Sequence, residues 1–136
     1  MSALFELDGV HVRYGAVHAL RDLRLSIGAG ERVALVGANG SGKSTLLRVL
    51  HGLARPSSGQ ARCLPTNRQA MLFQHPYMLR TSALNNVALG LWLRGTAWGQ
   101  ARKRAEQALE QVEMTELAGR NARSLSGGQK QRLALA

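Results

Sequence analysis

Residues 37–44 read Gly37-Ala38-Asn39-Gly40-Ser41-Gly42-Lys43-Ser44, three glycines in a small polar stretch closed by a lysine and a hydroxyl. Glycines at this spacing let a loop curl with its N–H groups pointing inward, as an anion requires of a backbone. Lys43 adds a point charge for the β- and γ-phosphates of a nucleotide, and the Ser44 hydroxyl suits the coordination shell of Mg²⁺. The run matches G-x-x-x-x-G-K-[ST] in full, an event of about 0.5% by chance in a chain of this length. It follows a short apolar run, Val33-Ala34-Leu35-Val36, and opens an apolar-periodic one. In that order, strand then loop then helix, a helix N-terminus adds positive potential to the site. The chemistry is the binding of a nucleotide through its phosphates.

A second constellation is Leu125-Ser126-Gly127-Gly128-Gln129. Its chance frequency is of order 1 in 10,000. Ser126 and the amides of Gly127 and Gly128 stand where a helix starts, another anion site. One phosphate loop is already present, so the second site needs a different phosphate. At these residues the chain resembles the ATP-binding-cassette (ABC) ATPases, whose signature is LSGGQ, and the resemblance covers essentially all 136 residues.

The resemblance implies ATP and Mg²⁺ as cofactors. It implies that Asn39, Gly40, Ser41, Gly42, Lys43, Ser44 and Thr45 hold the nucleotide, with Ser44 on the metal. Ser126, Gly127, Gly128 and Gln129 would contact the γ-phosphate held by a second cassette subunit, two cassettes sandwiching two ATPs head to tail. Tyr14, followed by Gly15, stands where the family stacks an aromatic on adenine. Such a ring adds affinity more than base selectivity. Gln74 matches the family's hinge glutamine, which reaches Mg²⁺ or the attacking water, so Lys43 and Gln74 are the expected catalytic residues. The helices between Gln74 and Ser126 correspond to the subdomain that grips a transmembrane permease, with Tyr77, Met78 and Leu79 as candidates to line that groove. The run Leu72-Phe73-Gln74-His75-Pro76-Tyr77-Met78-Leu79-Arg80 is similar to that of importers of oxyanions such as tungstate or phosphate. The implied location is cytoplasmic, peripheral on the inner face of the cell membrane.

In the family an apolar strand ending in Asp-Glu (Walker B), a D-loop and a switch histidine follow the signature helix. The only aspartates here, Asp8 and Asp22, precede the phosphate loop, and the sequence reaches Ala136 inside the expected helix. The expectation is an ABC-type ATPase in the full-length family member. For residues 1–136 it is nucleotide binding at most, with negligible hydrolysis. Two other readings stand beside it: a soluble cassette ATPase acting on nucleic acid or ribosomes, and a non-catalytic ATP-binding remnant. The compact 74–126 interval disfavours the DNA-repair type, which inserts a long coiled coil there.

Positioning these groups requires alternating elements. Residues 4–7, 10–14, 19–27 and 32–36 read as strands, the last nearly all apolar as if buried on both faces. Gly15 and Gly28-Ala29-Gly30 punctuate them. Residues 70–73 read as a second buried strand and 44–53 as a helix. Ser82 caps a helix through Leu93, and residues 115–118 form a short turn of helix. Trp98, Ala101, Ala105, Ala108, Leu109 and Val112 share one face of an amphipathic helix, which puts Trp98 in a core. A last helix starts near Gly128. The expected fold is therefore α/β, an ABC-type P-loop NTPase. Residues 1–73 form an N-terminal antiparallel β-subdomain and loop core, 74–127 the hinge and α-helical subdomain, and 128–136 the start of the signature helix. Its parallel core sheet is incomplete.

Composition agrees with a folded α/β chain, at 45% hydrophobic residues with 15 glycines. The most apolar stretch, 83–93, is interrupted by Asn85 and Asn86 and stopped by Arg94, short of the roughly 20 residues that cross a bilayer. Glu6 and Asp8 sit where a signal peptide would be apolar. A single cysteine, Cys63, offers no internal disulfide and suits a reducing cytoplasm. The net charge of +10 fits either nucleic-acid binding or an imbalance that a more acidic segment outside these residues would offset. Arg102, Lys103 and Arg104 lie among Glu106, Glu110 and Glu113, which reads as a solvated helix face, and no nucleic-acid partner is expected.

Overall fold

A computed structural model describes residues 3–136. The chain divides into two units, one ending at Met71 and the other running from Leu72 to Ala136.

The first unit is a three-stranded antiparallel sheet with one helix against it. Strand β1 spans Phe5–Tyr14, β2 Val17–Ile27 and β3 Ser58–Arg62, in the order β2-β1-β3. The runs 4–7 and 10–14, read from sequence as two strands, are one strand. Gly9, at φ 56, forms a bulge that shifts the register between the pairs Leu7↔Leu25 and Val10↔Leu23. The extra residue changes the alternation, so Leu7, Val10 and Val12 all face the core and are 3%, 0% and 1% exposed. A two-residue turn, Gly15-Ala16, returns the chain into β2, with Gly15 at φ 58 as such hairpins require. Strand β3 has no apolar alternation and all five of its residues are exposed. Only its pairing with β1 reveals it.

Helix α1, Lys43–His51, lays Leu46, Val49 and Leu50 on the core face formed by Leu7, Val10, Val12 and Leu20. Burying each such side chain stabilises by about 1.5–3 kcal/mol, which holds the helix start against the sheet. The helix stops two residues earlier than its apolar period suggests. Gly52 adopts φ 84, and Gly52 and Leu53 donate back to Val49 O and Arg48 O at 3.0 and 2.8 Å.

Two expected strands do not form. Residues 32–36 and 70–73 adopt no regular structure and carry no ladder among the described residues. Val33 and Val36 are 52% and 94% exposed, Leu72 and Phe73 51% and 44%. A doubly apolar run is stable as a strand only when neighbours take its backbone hydrogen bonds and helices cover both faces. The sheet of the first unit supplies neither, so no parallel core sheet is present among the described residues.

In the second unit α2 spans Ala83–Leu93, α3 Trp98–Gln111 and α4 Gly127–Leu135. Ser82 caps α2 as its type predicts, accepting from the Asn85 N–H at 3.1 Å. The two asparagines that interrupt the apolar run have separate duties. Asn85 donates to the Thr81 hydroxyl, while Asn86 accepts from the Leu79 N–H at 2.9 Å and donates to Ser82 O at 3.0 Å, which locks the turn before α2. Ala101, Ala105 and Leu109 form the buried face of α3, meeting Leu84, Ala88, Met114, Leu125 and Leu133. Trp98 is a correction: it is 39% exposed. It lies in the first turn of α3, beyond that core, and packs edge-on against Trp92 with ring centres 6.4 Å apart. Residues Thr115–Leu117 make the expected short turn of helix. No helix among the described residues is long and apolar enough to cross a membrane.

On the outer face of the hairpin His11 and His18 meet, Nδ1 to Nε2, at 3.1 Å. Partial loss of solvent, then Arg13, Arg21 and His11, hold the His18 imidazole below its ordinary value. The folded chain therefore takes up this proton later than the unfolded chain as pH falls. The associated stability is complete above the ordinary histidine pKa of about 6.5 and declines as pH drops through and below it. A melting temperature lower at pH 5.5 than at pH 7.5 is expected, with the difference reduced in His18→Gln. An identical difference in that variant would contradict the assignment.

Candidate functional site

The phosphate loop runs from segment 32–36 into α1. Two of its glycines occupy conformations that side chains resist: Gly40 at φ 81 and Gly42, the N-cap of α1, at φ 96. A Cβ on Gly42 would lie 2.6 Å from Ala19 O and 2.9 Å from Leu20 Cδ2, so this glycine lets the helix start press onto β2. No side chain caps α1 and its first turn holds no acidic residue, which leaves the amide donors and positive end of the helix facing the loop.

The Lys43 ammonium sits inside this loop. It donates to Gly37 O at 2.6 Å, Ala38 O at 2.7 Å and Ser41 Oγ at 3.2 Å. Its position suits a phosphate bridged between loop amides and ammonium, with phosphate oxygens taking the place of the loop carbonyls. Ser44 is exposed, and Thr45 half-buried, on the first turn of α1. Asn39 and Ser41 are exposed on the loop itself. Tyr14 ends β1 opposite Val17 and is 50% exposed, so its ring offers a face to a ligand rather than filling the core. Loop and tyrosine both belong to the first unit. The donor set fits Mg-ATP: an ammonium, a run of amides, three hydroxyls and an exposed aromatic ring.

In the second unit Ser126 is the N-cap of α4, anchored by the buried Leu125. Its Oγ accepts the Gln129 N–H at 3.2 Å, while its own N–H donates to Gln129 Oε1 at 2.9 Å. This reciprocal capping box is written in the sequence as Ser-x-x-Gln but was not anticipated there. The Gln129 side-chain oxygen is thereby engaged within the helix start. The Ser126 hydroxyl keeps its own proton to donate outward. A Cβ on Gly127 or Gly128 would meet nothing within 4 Å. Internal packing therefore does not explain these glycines, whereas close approach by an anion to their amides would. Ser126→Ala is expected to destabilise the second unit by about 1 kcal/mol, with Ser126→Thr largely restoring it, in urea unfolding. An alanine variant as stable as the parent would argue against the box.

Gln74 is exposed, in a bend after segment 70–73. Its carbonyl accepts a short hydrogen bond from Gln131 Nε2, which ties the hinge glutamine to α4. Arg123 makes a parallel tie, donating to Met78 O at 3.2 Å and the Tyr77 hydroxyl at 3.0 Å, its guanidinium 5.8 Å from the Tyr77 ring centre. Neither residue was singled out from sequence, where nothing marks a partner 46 or 57 positions away. Tyr77 is 77% exposed and Leu79 39%, while Met78 is buried in the helical core rather than lining a surface.

The fold is that of an ABC ATPase domain, a P-loop NTPase of mixed α/β structure. The ABC transporter family profile matches residues 20–136, and the chain belongs to that family. It is 42% identical over 134 residues to the aliphatic sulfonates import ATP-binding protein SsuB 1 of Agrobacterium fabrum, covering 97% of this chain and 48% of that protein. It is 39% identical over 140 residues to the sulfate/thiosulfate import ATP-binding protein CysA of Gloeobacter violaceus, covering 96% and 41%. The chain thus spans about half the length of these relatives. Among solved structures, the ATP-binding cassette MJ0796, a dimer in a post-hydrolysis state bound to ADP and Pi, matches with a TM-score of 0.81 at 30% identity, over 96% of this chain and 67% of that one. The cbiO1 protein from Clostridium perfringens, part of the transporter complex cbiONQ, matches with a TM-score of 0.78 at 27% identity, over 99% and 60%.

Proposed function

We propose that these residues belong to the ATP-binding subunit of an importer, coupling Mg-ATP binding and hydrolysis to uptake of an oxyanion. The observation that carries the proposal is the Lys43 ammonium held inside a glycine loop at the start of α1. Family membership supports it, and so do relatives named for import of sulfate, aliphatic sulfonates and phosphonates.

In this reading Asn39, Gly40, Ser41 and Gly42 bind the phosphates through the loop, with Lys43 on the β- and γ-phosphates and Thr45 beside them. Tyr14 stacks on the base. Ser44 and Gln74 are the ligands this chain offers to Mg²⁺, which when bound neutralises charge on the phosphates. Gln74 also orients the attacking water. Ser126, Gly127 and Gly128 donate to the γ-phosphate of a partner cassette, with Gln129 holding Ser126 in place. Residues 1–73 form the nucleotide-binding part and 74–127 the hinge and helical subdomain that docks a transmembrane permease, leaving 128–136 to begin the signature helix. The subunit would lie on the cytoplasmic face of the membrane. Residues 1–136 alone bind nucleotide without turning it over, because no carboxylate among them follows an apolar strand to polarise water.

Calorimetric titration of the chain with Mg-ATP tests this reading, with phosphate release measured in parallel. Saturable binding without sustained release is expected. No binding at millimolar nucleotide would remove the proposal, and turnover that depends on Lys43 would overturn its last part.

A further inference from the structure

We propose that His11 and His18 form a two-imidazole site for a borderline divalent transition-metal ion (Cu²⁺, Ni²⁺ or Zn²⁺) on the outer face of the β1–β2 hairpin. The site is separate from the nucleotide chemistry, since Mg²⁺ prefers oxygen ligands and keeps its waters.

Geometry is the first support. His11 Nδ1 and His18 Nε2 are 3.1 Å apart, with ring centres 5.3 Å apart and planes 32° apart. Two imidazoles bound side by side to one ion at about 2.0–2.1 Å, at angles of about 90–110°, have nitrogens about 2.9–3.4 Å apart. Their ring centres would then be about 4.5–5.2 Å apart by the same construction. At this nitrogen separation chelated rings would have centres about 4.8 Å apart, so the two imidazoles, which now face each other end-on, must swing about 0.5 Å closer to turn both lone pairs onto one ion. Its frame is stiff, because the two histidines project from adjacent antiparallel strands whose register is set by Val12↔Leu20 and Arg13↔His18.

Access is the second. His11, Arg13, His18, Ser57 and Ser58 line an open cleft of about 340 Å³, room for an ion and the waters that complete its shell. The charged groups facing it are Arg13 on β1 and Arg21 and Asp22 on β2, while Ser57 and Ser58 beside β3 are neutral. Arg13 and Arg21 are exposed, so the high dielectric of the surrounding water lowers their repulsion of a cation. The Asp22 carboxylate lies 3.7 Å from Arg24, and its N–H makes only a 3.4 Å contact with His11 Nδ1.

The proton balance is simple. In the hydrogen-bonded pair one ring donates across the contact and the other accepts. On binding, the donor ring moves its proton to its remote nitrogen, and both facing nitrogens offer lone pairs. Each ring keeps one proton, and none is released above the imidazole pKa.

The experiment is titration of the full chain at pH 7.5 with Cu²⁺, Ni²⁺ and Zn²⁺, with Mg²⁺ as the control. One equivalent is expected to bind, Cu²⁺ tighter than Ni²⁺ or Zn²⁺. His11→Gln and His18→Gln should each weaken binding at least about 10-fold, and His75→Gln should leave it unchanged. Circular dichroism verifies that the variants fold. Should either fail to fold, imidazole NMR of the unaltered chain with substoichiometric Cu²⁺ decides. The rings of His11 and His18 should broaden before those of His51 and His75. Uniform broadening, absence of saturable binding below roughly 1 mM, or an affinity in both glutamine variants equal to that of the unaltered chain would overturn the site.

Discussion

Replacing Lys43 with alanine is expected to weaken Mg-ATP binding by about 30- to 1,000-fold while leaving the fold intact. The ammonium is the only formal positive charge within the 37–44 loop, and its three contacts are all to loop acceptors. A hydrogen bond to a charged group contributes about 1.5–3 kcal/mol, so losing one or two to phosphate costs about 2–4 kcal/mol of binding. The loop carbonyls that lose their donor, Gly37 O and Ala38 O, belong to exposed residues and can be hydrated instead. Stability should therefore change by well under the binding loss. Lys43→Arg should also bind poorly, because a planar guanidinium does not replace a compact ammonium in a tight loop. Titration of both variants beside the parent, with thermal melts on the same samples, separates the two effects. Unchanged affinity in Lys43→Ala would remove the lysine from the site. A collapsed melting temperature would make its role structural.

Gly59→Ala should have the largest effect on folding, although Gly59 lies outside every motif. Its φ is 88, and an added Cβ would stand 2.2 Å from Gly9 O, 2.6 Å from Gly9 C and 2.7 Å from Val10 Cα. These are backbone atoms of β1 at its bulge, so no side-chain rotation relieves the clash. Left-handed strain and overpacking together cost about 3–5 kcal/mol. In a unit of this size that corresponds to a fall in melting temperature of more than about 10 °C. Mg-ATP binding should fall with it, because β1 and β2 carry the core on which α1 rests. Amide exchange would localise the damage, with faster exchange at Leu7, Val10 and Val12. A variant that melts with the parent would mean β3 does not pair with β1 as described.

Both expectations show how unevenly the molecule can be read from its sequence. The capping serine of α2, the apolar face of α3 and the turn at Gly15 follow from neighbours within a few positions, and each appears where its residues predict. Trp98 obeys the helical period but not the burial it suggests. Period specifies a face, whereas the extent of the opposing core decides how far along that face burial continues. Strand β3 carries no pattern of its own, and the strandlike runs 32–36 and 70–73 carry a clear one without forming strands. In each case the deciding quantity is whether another segment takes the backbone hydrogen bonds.

Sequence by itself determined the phosphate loop, the signature residues and the family they imply, because glycine, lysine and serine at fixed spacing act through local backbone geometry. It also determined the start of α2, where the Ser82 hydroxyl and the Asn85 N–H from which it accepts lie three residues apart. Tertiary structure alone decided the bulge that makes one strand of two runs, the tie from Gln131 to Gln74, the reach of Arg123 to Tyr77, and the meeting of His11 with His18. These depend on which distant segments fold together, and that is set by packing and strand register rather than by any short pattern.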